Sequence, residues 1–234
     1  RLRQLLFFNI PCIIITDDLL VLDELLELCN QKKIPLLRTS ARTGEFIYQL
    51  SRYLHNRFAP RKSVHGVFVE VYGVGILIMG PSGIGKSECA LELIKRGHRL
   101  VADDAVQLMK ISDTKVVGSP DEMIRHHMEI RGLGIIDIRS LFGIAATADE
   151  KTVDMVITLE KWDDHKEYDR LGIFQRTMRF LKVEVPSTTI PVREGRNLAV
   201  VIETAAMNFY LRRMGILSAE KFSKQLRAKM SGEF

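Results

Sequence analysis

The run Gly80-Pro81-Ser82-Gly83-Ile84-Gly85-Lys86-Ser87 constrains this chain more than any other feature: a glycine, four residues, then Gly-Lys-Ser. The apolar stretch Ile76 to Met79 ahead of it predicts a buried strand, and Glu88 to Arg96 behind it predicts a helix ended by Gly97. Strand, loop and helix in that order form a phosphate-binding loop. Glycines let backbone N–H groups curl around phosphate oxygens, and the helix N-terminus adds partial positive charge. Lys86 then reaches the outer phosphates and Ser87 can ligate magnesium. The bland alternative, a glycine-rich turn without a ligand, lacks a reason for the Lys-Ser pair in this context. The loop alone names a nucleotide or phosphate, not a reaction. Gly73-Val-Gly75 and Gly132-Leu-Gly134 both lack the third glycine of a dinucleotide fingerprint. Neither His-Arg-Asp nor Asp-Phe-Gly occurs, which excludes the eukaryotic protein-kinase fold.

Upstream, Ile10 to Ile15 predicts a strand, and Asp17 or Asp18 is placed to cap a helix whose Leu19, Leu22, Leu25, Leu26 and Cys29 form one stripe. Pro35 to Thr39 predicts a second extended piece, and Phe46, Ile47, Leu50, Tyr53, Leu54 and Phe58 repeat at helical spacing. This β-α-β-α order implies parallel pairing with crossover helices. The polar joint Ala59 to Ser63 marks a boundary, giving an α/β piece over 1–58 and a phosphate-loop domain over 59–234. Within the second domain, Val64 to Tyr72 alternates as a strand and Gly73 with Gly75 allows a turn. Further strands are expected at Arg99 to Ala102 and Val153 to Leu159, then a helix from Leu198 to Met214 stopped by Gly215, and a final helix after Ser218.

Composition narrows the class. The 234 residues are 27% charged and 46% hydrophobic, an ordinary globular balance. The longest apolar runs, Ile10 to Ile15 and Gly75 to Met79, fall far short of the ~18 to 20 residues a membrane helix needs, so no membrane span is expected. The opening RLRQLLFFNIPCIII lacks a cleavage site and is followed by Asp17 and Asp18, so a cut end inside a larger protein is expected rather than a signal peptide. Cys12, Cys29 and Cys89 form no close-spaced pair, which fits a reducing cytoplasm. The net charge of +5 draws on late basic residues such as Arg193, Arg196, Arg212 and Arg213. Phosphate ligands, an acidic partner or a solvated basic face account for it, and no interleaved aromatic-basic motif of an RNA module is present.

Asp103 and Asp104 close the strand after the loop helix, at the carboxyl end where α/β sites collect. One carboxylate can bind metal through water while the other takes a proton from an attacking hydroxyl; a turn or helix cap is the structural alternative. Glu129, in Glu129-Ile-Arg131-Gly-Leu-Gly134-Ile-Ile-Asp137, reads equally as a site residue or as part of a tight core crossing. His65, Arg170 and the turn from Pro191 to Asn197 carry weaker intrinsic signals.

Together these segments resemble one family, the bacterial HPr kinase/phosphorylases. The resemblance runs through His65-Gly-Val, GPSGIGKSE, RGHRLVADD, EIRGLGIIDIRSLFG, EYDRLG and PVREGRNLA, covering nearly all of 59–234. Ile34 to Leu50 resembles the end of that family's N-terminal domain. The resemblance implies a cytoplasmic P-loop enzyme, with no membrane or nucleic-acid partner, that uses ATP and Mg²⁺ to phosphorylate a serine of the phosphocarrier protein HPr. It also implies removal of that phosphate with inorganic phosphate, a role in carbon catabolite repression, allosteric control and a homohexamer. It assigns catalytic roles to His65, Lys86, Asp104 and Arg170, metal ligation to Ser87 and Glu129, and a signature region to Met128 to Asp137. The dephosphorylation loop falls on Pro191, Val192, Arg193, Glu194, Gly195 and Arg196, with Glu194 standing where the family often has proline. A P-loop kinase of a small metabolite and a nucleotide-gated nucleic-acid-binding regulator are the alternatives; the first would label a small molecule, the second would bind nucleic acid with steep salt dependence.

Overall fold

A computed structural model describes residues 8–166, 176–193 and 195–216. The chain divides into two compact units, Arg1–Ala59 and Pro60–Phe234.

In the first unit, β1 (Ile13–Ile15) pairs in parallel with β2 (Leu36–Arg38), Ile14 opposite Leu37. The crossover between them holds α1 (Asp23–Lys32), which buries Leu25 and Cys29, and α2 (Thr43–Phe58) follows. The expected capping of α1 by Asp17 or Asp18 does not occur: the helix starts after Leu22 without a side-chain cap. Asp17 and Asp18 both sit in the left-handed region, and the Asp17 carboxylate instead accepts hydrogen bonds from the Thr43 amide (3.2 Å) and hydroxyl (3.0 Å) at the start of α2. A short polar side chain tolerates that conformation and caps the nearest free amides, here those of the second helix.

The second unit is built on a six-stranded sheet in the order β13-β14-β12-β5-β4-β6, comprising β4 (Val67–Val71), β5 (Val74–Met79), β6 (Arg99–Ala102), β12 (Met155–Lys161), β13 (Arg176–Phe180) and β14 (Val183–Val192). Its centre is parallel, β5 to β12 and β12 to β14, and its edges are antiparallel. Ile76, Leu77, Ile78, Val156, Ile157 and Leu159 are fully buried, as expected for central strands covered on both faces. On one face pack α3 (Lys86–Lys95) and α5 (Leu198–Arg213), which insert Ala90, Leu93, Ala199, Ile202 and Ala206. On the other lies a four-stranded sheet, β11-β8-β7-β3, formed by β3 (Arg61–His65), β7 (Ala105–Ser112), β8 (Lys115–Pro120) and β11 (Lys151–Thr152). The hairpin of β9 (His127–Ile130) and β10 (Gly134–Asp137) leads into the short α4 (Ile138–Phe142), capped by the Asp137 carboxylate.

Two expectations are corrected here. Val64 to Tyr72 is not one strand: it breaks at Gly66, so β3 joins the four-stranded sheet and β4 the six-stranded one. A side chain at Gly66 would sit 2.7 Å from the Ile78 carbonyl, which explains why the crossing between sheets falls on a glycine. Gly75 is not part of a turn either. It lies inside β5, where the Asp154 carboxylate accepts its N–H at 2.8 Å and the Thr152 carbonyl occupies the space of a side chain. The segment read as a possible core crossing, 129–137, is a hairpin whose Leu133 and Ile135 are exposed. The expected helix after Ser218 lies outside the described residues.

Candidate active site

Three neighbouring parallel strands, β5, β12 and β14, deliver their carboxyl ends to the same edge of the sheet. The glycine-rich loop leaves β5 there. Gly80 (φ +148°) runs so close to β12 that a side chain would meet the Leu159 carbonyl at 2.6 Å. Gly83 (φ +78°) and Gly85 (φ +97°) then curl the backbone, and Gly85 caps α3 without any side-chain hydrogen bond. The first amides of α3 are thereby left for a ligand, the arrangement that binds phosphate. Lys86 is only 7% exposed, and its ammonium donates to the Gly80 and Pro81 carbonyls, both at 3.1 Å. Its charge is held at the loop rather than in solvent.

The two adjacent aspartates separate into different environments. Asp103 is buried, accepting from the Ser87 hydroxyl at 3.0 Å on one oxygen and from the Glu129 amide at 3.1 Å on the other. Burial pushes its carboxyl above the ordinary value, and the Asp104 charge adds to this, while the two hydrogen bonds work the other way. Asp104 turns left-handed at φ +65°, and its carboxylate faces solvent 2.9 Å from His65 Nδ1. His65 is delivered to that distance by the β3–β7 pairing, where it stands opposite Ala105.

Ser82, Gly83, Gly85, Lys86, Ser87, Asp104, His65 and Glu129 line a single open cleft, joined by Asp103 and Arg131. Arg131 had no role assigned from sequence. Its guanidinium donates to the Ser82 hydroxyl at 3.2 Å and lies 2.8 Å from where a Gly83 side chain would be. It lies in the β9–β10 hairpin turn, just past the end of β9 at Ile130, a position that no strand or helix periodicity marks. Ser87, Glu129 and Asp103 offer only oxygen donors, which suit a hard cation. Among the described residues no group of three or more His, Cys, Asp or Glu side chains could hold a metal by itself.

The 191–196 segment closes β14 and turns at the same edge of the sheet, yet none of its described residues lines the cleft described above. Arg196 donates to the Pro191 carbonyl at 3.0 Å, and the Arg193 guanidinium lies 5.6 Å from the centre of the Trp162 ring. Arg170 and Glu194 lie outside the described residues.

Comparison with known proteins gives consistent matches. The family model for the HPr Serine kinase C-terminal domain matches residues 56–226, and that for the HPr Serine kinase N terminus matches residues 1–54. The HPr kinase/phosphorylase of Caldanaerobacter subterraneus subsp. tengcongensis is 49% identical over 226 residues, spanning 97% of this chain and 74% of that protein. The HPr kinase/phosphorylase of Bacillus cereus strain G9842 is 50% identical over 226 residues, with 97% and 73% covered. Among solved structures, the Hpr(Ser) kinase/phosphatase from Coxiella burnetii superposes with a TM-score of 0.62 at 36% identity, covering 69% of this chain and 98% of that one.

Proposed function

The chain belongs to the HPr serine kinase family, and on that premise we propose how its cleft phosphorylates a serine of the phosphocarrier protein HPr and takes the phosphate off again. The catalytic domain is 59–234 and 1–58 is a smaller N-terminal α/β domain. The observation that carries the reading is the exposed Asp104–His65 pair at 2.9 Å, sharing one cleft with the buried Lys86.

In the kinase direction the loop 80–87 cradles the ATP phosphates. Ser87 and Glu129 would hold Mg²⁺, with Asp103 fixing the Ser87 hydroxyl. When bound there, the cation would neutralise phosphate charge. Asp104 accepts the proton of the HPr serine as its oxygen bonds to the γ-phosphorus and ADP departs, while His65 holds the carboxylate in place. The transferring group is loose and strongly charged, so Lys86 and Arg170 act by charge stabilisation rather than covalent chemistry. In the reverse direction an oxygen of inorganic phosphate attacks the phosphoserine phosphorus. The serine oxygen leaves with a proton relayed by Asp104 from the incoming hydrogen phosphate, and pyrophosphate is the product. Arg193 and Arg196 hold the phosphoserine or the attacking phosphate in line for that step.

The same membership supports a homohexamer, allosteric control, a cytoplasmic enzyme and a role in carbon catabolite repression. The free cysteines Cys12, Cys29 and Cys89 agree with a reducing compartment. Incubating phosphoserine HPr with the chain, Mg²⁺ and phosphate is the direct test. Pyrophosphate in amounts equal to the dephosphorylated HPr is expected; free phosphate without pyrophosphate would overturn the reverse mechanism.

A further inference from the structure

Strands β12 and β14 run in parallel to their last residues, Lys161 opposite Val192, and the pairing continues one step further: the Trp162 amide donates to the Val192 carbonyl at 3.1 Å. The next residues out are therefore placed side by side, and Arg193 lays its guanidinium over the indole of Trp162 at 5.6 Å. The ring is held at its edge, because Nε1 donates to the Asp164 carboxylate at 2.7 Å. This is the chain's single tryptophan, and it is 40% exposed, so burial of the ring does not account for its position.

The carboxylates nearby are already engaged. Glu160 pairs with Lys166 at 2.6 Å, Asp163 accepts from the His165 amide at 2.9 Å, and Asp164 accepts from the indole itself. Arg193 thus has a ring rather than a carboxylate as its described partner. A ring attracts the guanidinium charge without pairing its N–H donors to a carboxylate in the bidentate way an anion would use. An arginine paired to an aspartate would have spent those donors.

We propose that Trp162 is the positioning residue for Arg193 in phosphorolysis: the indole holds the guanidinium at the end of β14 without a competing carboxylate, so that its charge and donors serve the phosphoserine or inorganic phosphate. This rests on the reading that the 191–196 turn serves the reverse reaction. Both directions are measured for the parent chain, Trp162→Leu, Trp162→Phe, Arg193→Ala and the Trp162→Leu/Arg193→Ala double variant, varying phosphate against phosphoserine HPr and ATP against HPr. Trp162→Leu is expected to lower kcat/KM for phosphorolysis about tenfold, the scale of a cation–π contact, with the KM for phosphate carrying most of the change. Its kinase kcat/KM is expected to change less than about twofold. Trp162→Phe, which keeps an aromatic face, is expected to restore most of the loss, and the double variant to be no worse than Arg193→Ala. The kinase rate serves as the folding control; where Trp162→Leu depresses it, Trp162→Gln is read instead, and proportional loss of both reactions in both variants overturns the proposal. If Arg193→Ala is selective for phosphorolysis while Trp162→Leu behaves as the parent, the turn keeps its role and the indole loses its own. If Arg193→Ala damages both reactions equally, the reading of the turn fails and the proposal goes with it.

Discussion

The phosphate-binding loop and the 191–196 turn leave neighbouring parallel regions of one sheet edge, yet they hold their charges by different means. In the loop, backbone conformation does the holding: Gly80, Gly83 and Gly85 take positive φ, the α3 amides stay uncapped, and the buried Lys86 is tied to two carbonyls of its own loop. In the turn, Arg193 is held by a side chain, the indole of Trp162, and Arg196 alone rests on a backbone carbonyl, that of Pro191. A group fixed by backbone and burial is preorganised for every reaction that uses it. A group fixed by one exposed contact can be specialised, because altering it leaves the rest of the site intact. On the proposed reading, this difference lets one site run two reactions: the phosphate cradle is common to both, and the turn proposed to serve the reverse step is held separately.

Lys86→Ala gives the largest expected effect. Removing the buried charge held at the phosphate-binding loop should lower kinase and phosphorolysis together by about 10²- to 10³-fold or more. Steady-state assays in both directions check this, and near-parent rates in either would break the assignment of the loop as common machinery. Arg193→Ala comes next. Phosphorolysis should fall about 10- to 100-fold, the worth of a charge-assisted bidentate contact, while the kinase loses several times less. Equal losses would erase the contrast between loop and turn.

Local chemistry was legible in the sequence and pairing across distance was not. The loop could be read because its conformation depends on glycines within eight residues, and its flanking strand and helix appeared where expected, β5 to Met79 and α3 from Lys86. The strand ending in two aspartates was equally local. Which aspartate is buried was not, because it depends on the left-handed turn at Asp104 and on a Glu129 amide arriving from 26 residues away. The β7–β8 hairpin carries a period-2 signal, Val106 and Leu108 inward with a turn at Asp113-Thr114, but its role emerges only when β3 pairs with it and sets His65 beside Asp104. Trp162 against Arg193 is the most distant case: two strand ends, 31 residues apart, meet only through the parallel register.

Arg131 lies between the two modes, a side chain on the exposed hairpin that touches the backbone-built loop. Arg131→Ala removes a hydrogen bond to Ser82 worth about 1 kcal/mol, so the KM for nucleotide should rise about fivefold with kcat less affected. A fall in kcat alone, at constant KM, would move Arg131 from binding the ground state to acting in the transition state and would sharpen the comparison in the other direction.

The smallest effect concerns how the hairpin flank is anchored. His126 precedes β9 at φ +66°, and its carbonyl accepts the Ile138 amide at 2.9 Å, joining the two ends of the hairpin segment. Its ring is mostly buried, and Nδ1 has no hydrogen-bond partner. Burial first, then the charges of Arg139 and Arg125, hold its pKa below the ordinary 6.5, while Asp149 and Asp137 oppose them. The unfolded chain therefore takes up this proton at higher pH than the folded chain does. Between 6.5 and the lower folded value the unfolded state binds more protons, so stability falls as pH is lowered through that window and is fully present above it. His126→Asn keeps a residue that tolerates positive φ and removes the titration. Urea unfolding at pH 7.5 and 5.5 should show the parent losing stability on acidification relative to the variant, with other titrating groups common to both. Amide exchange at the lower pH should rise in residues 127–137 of the parent before it rises in α3. Parallel stability profiles for the two proteins would remove His126 as the anchor, and faster exchange in α3 than in the hairpin would show that the backbone-built flank is the weaker of the two.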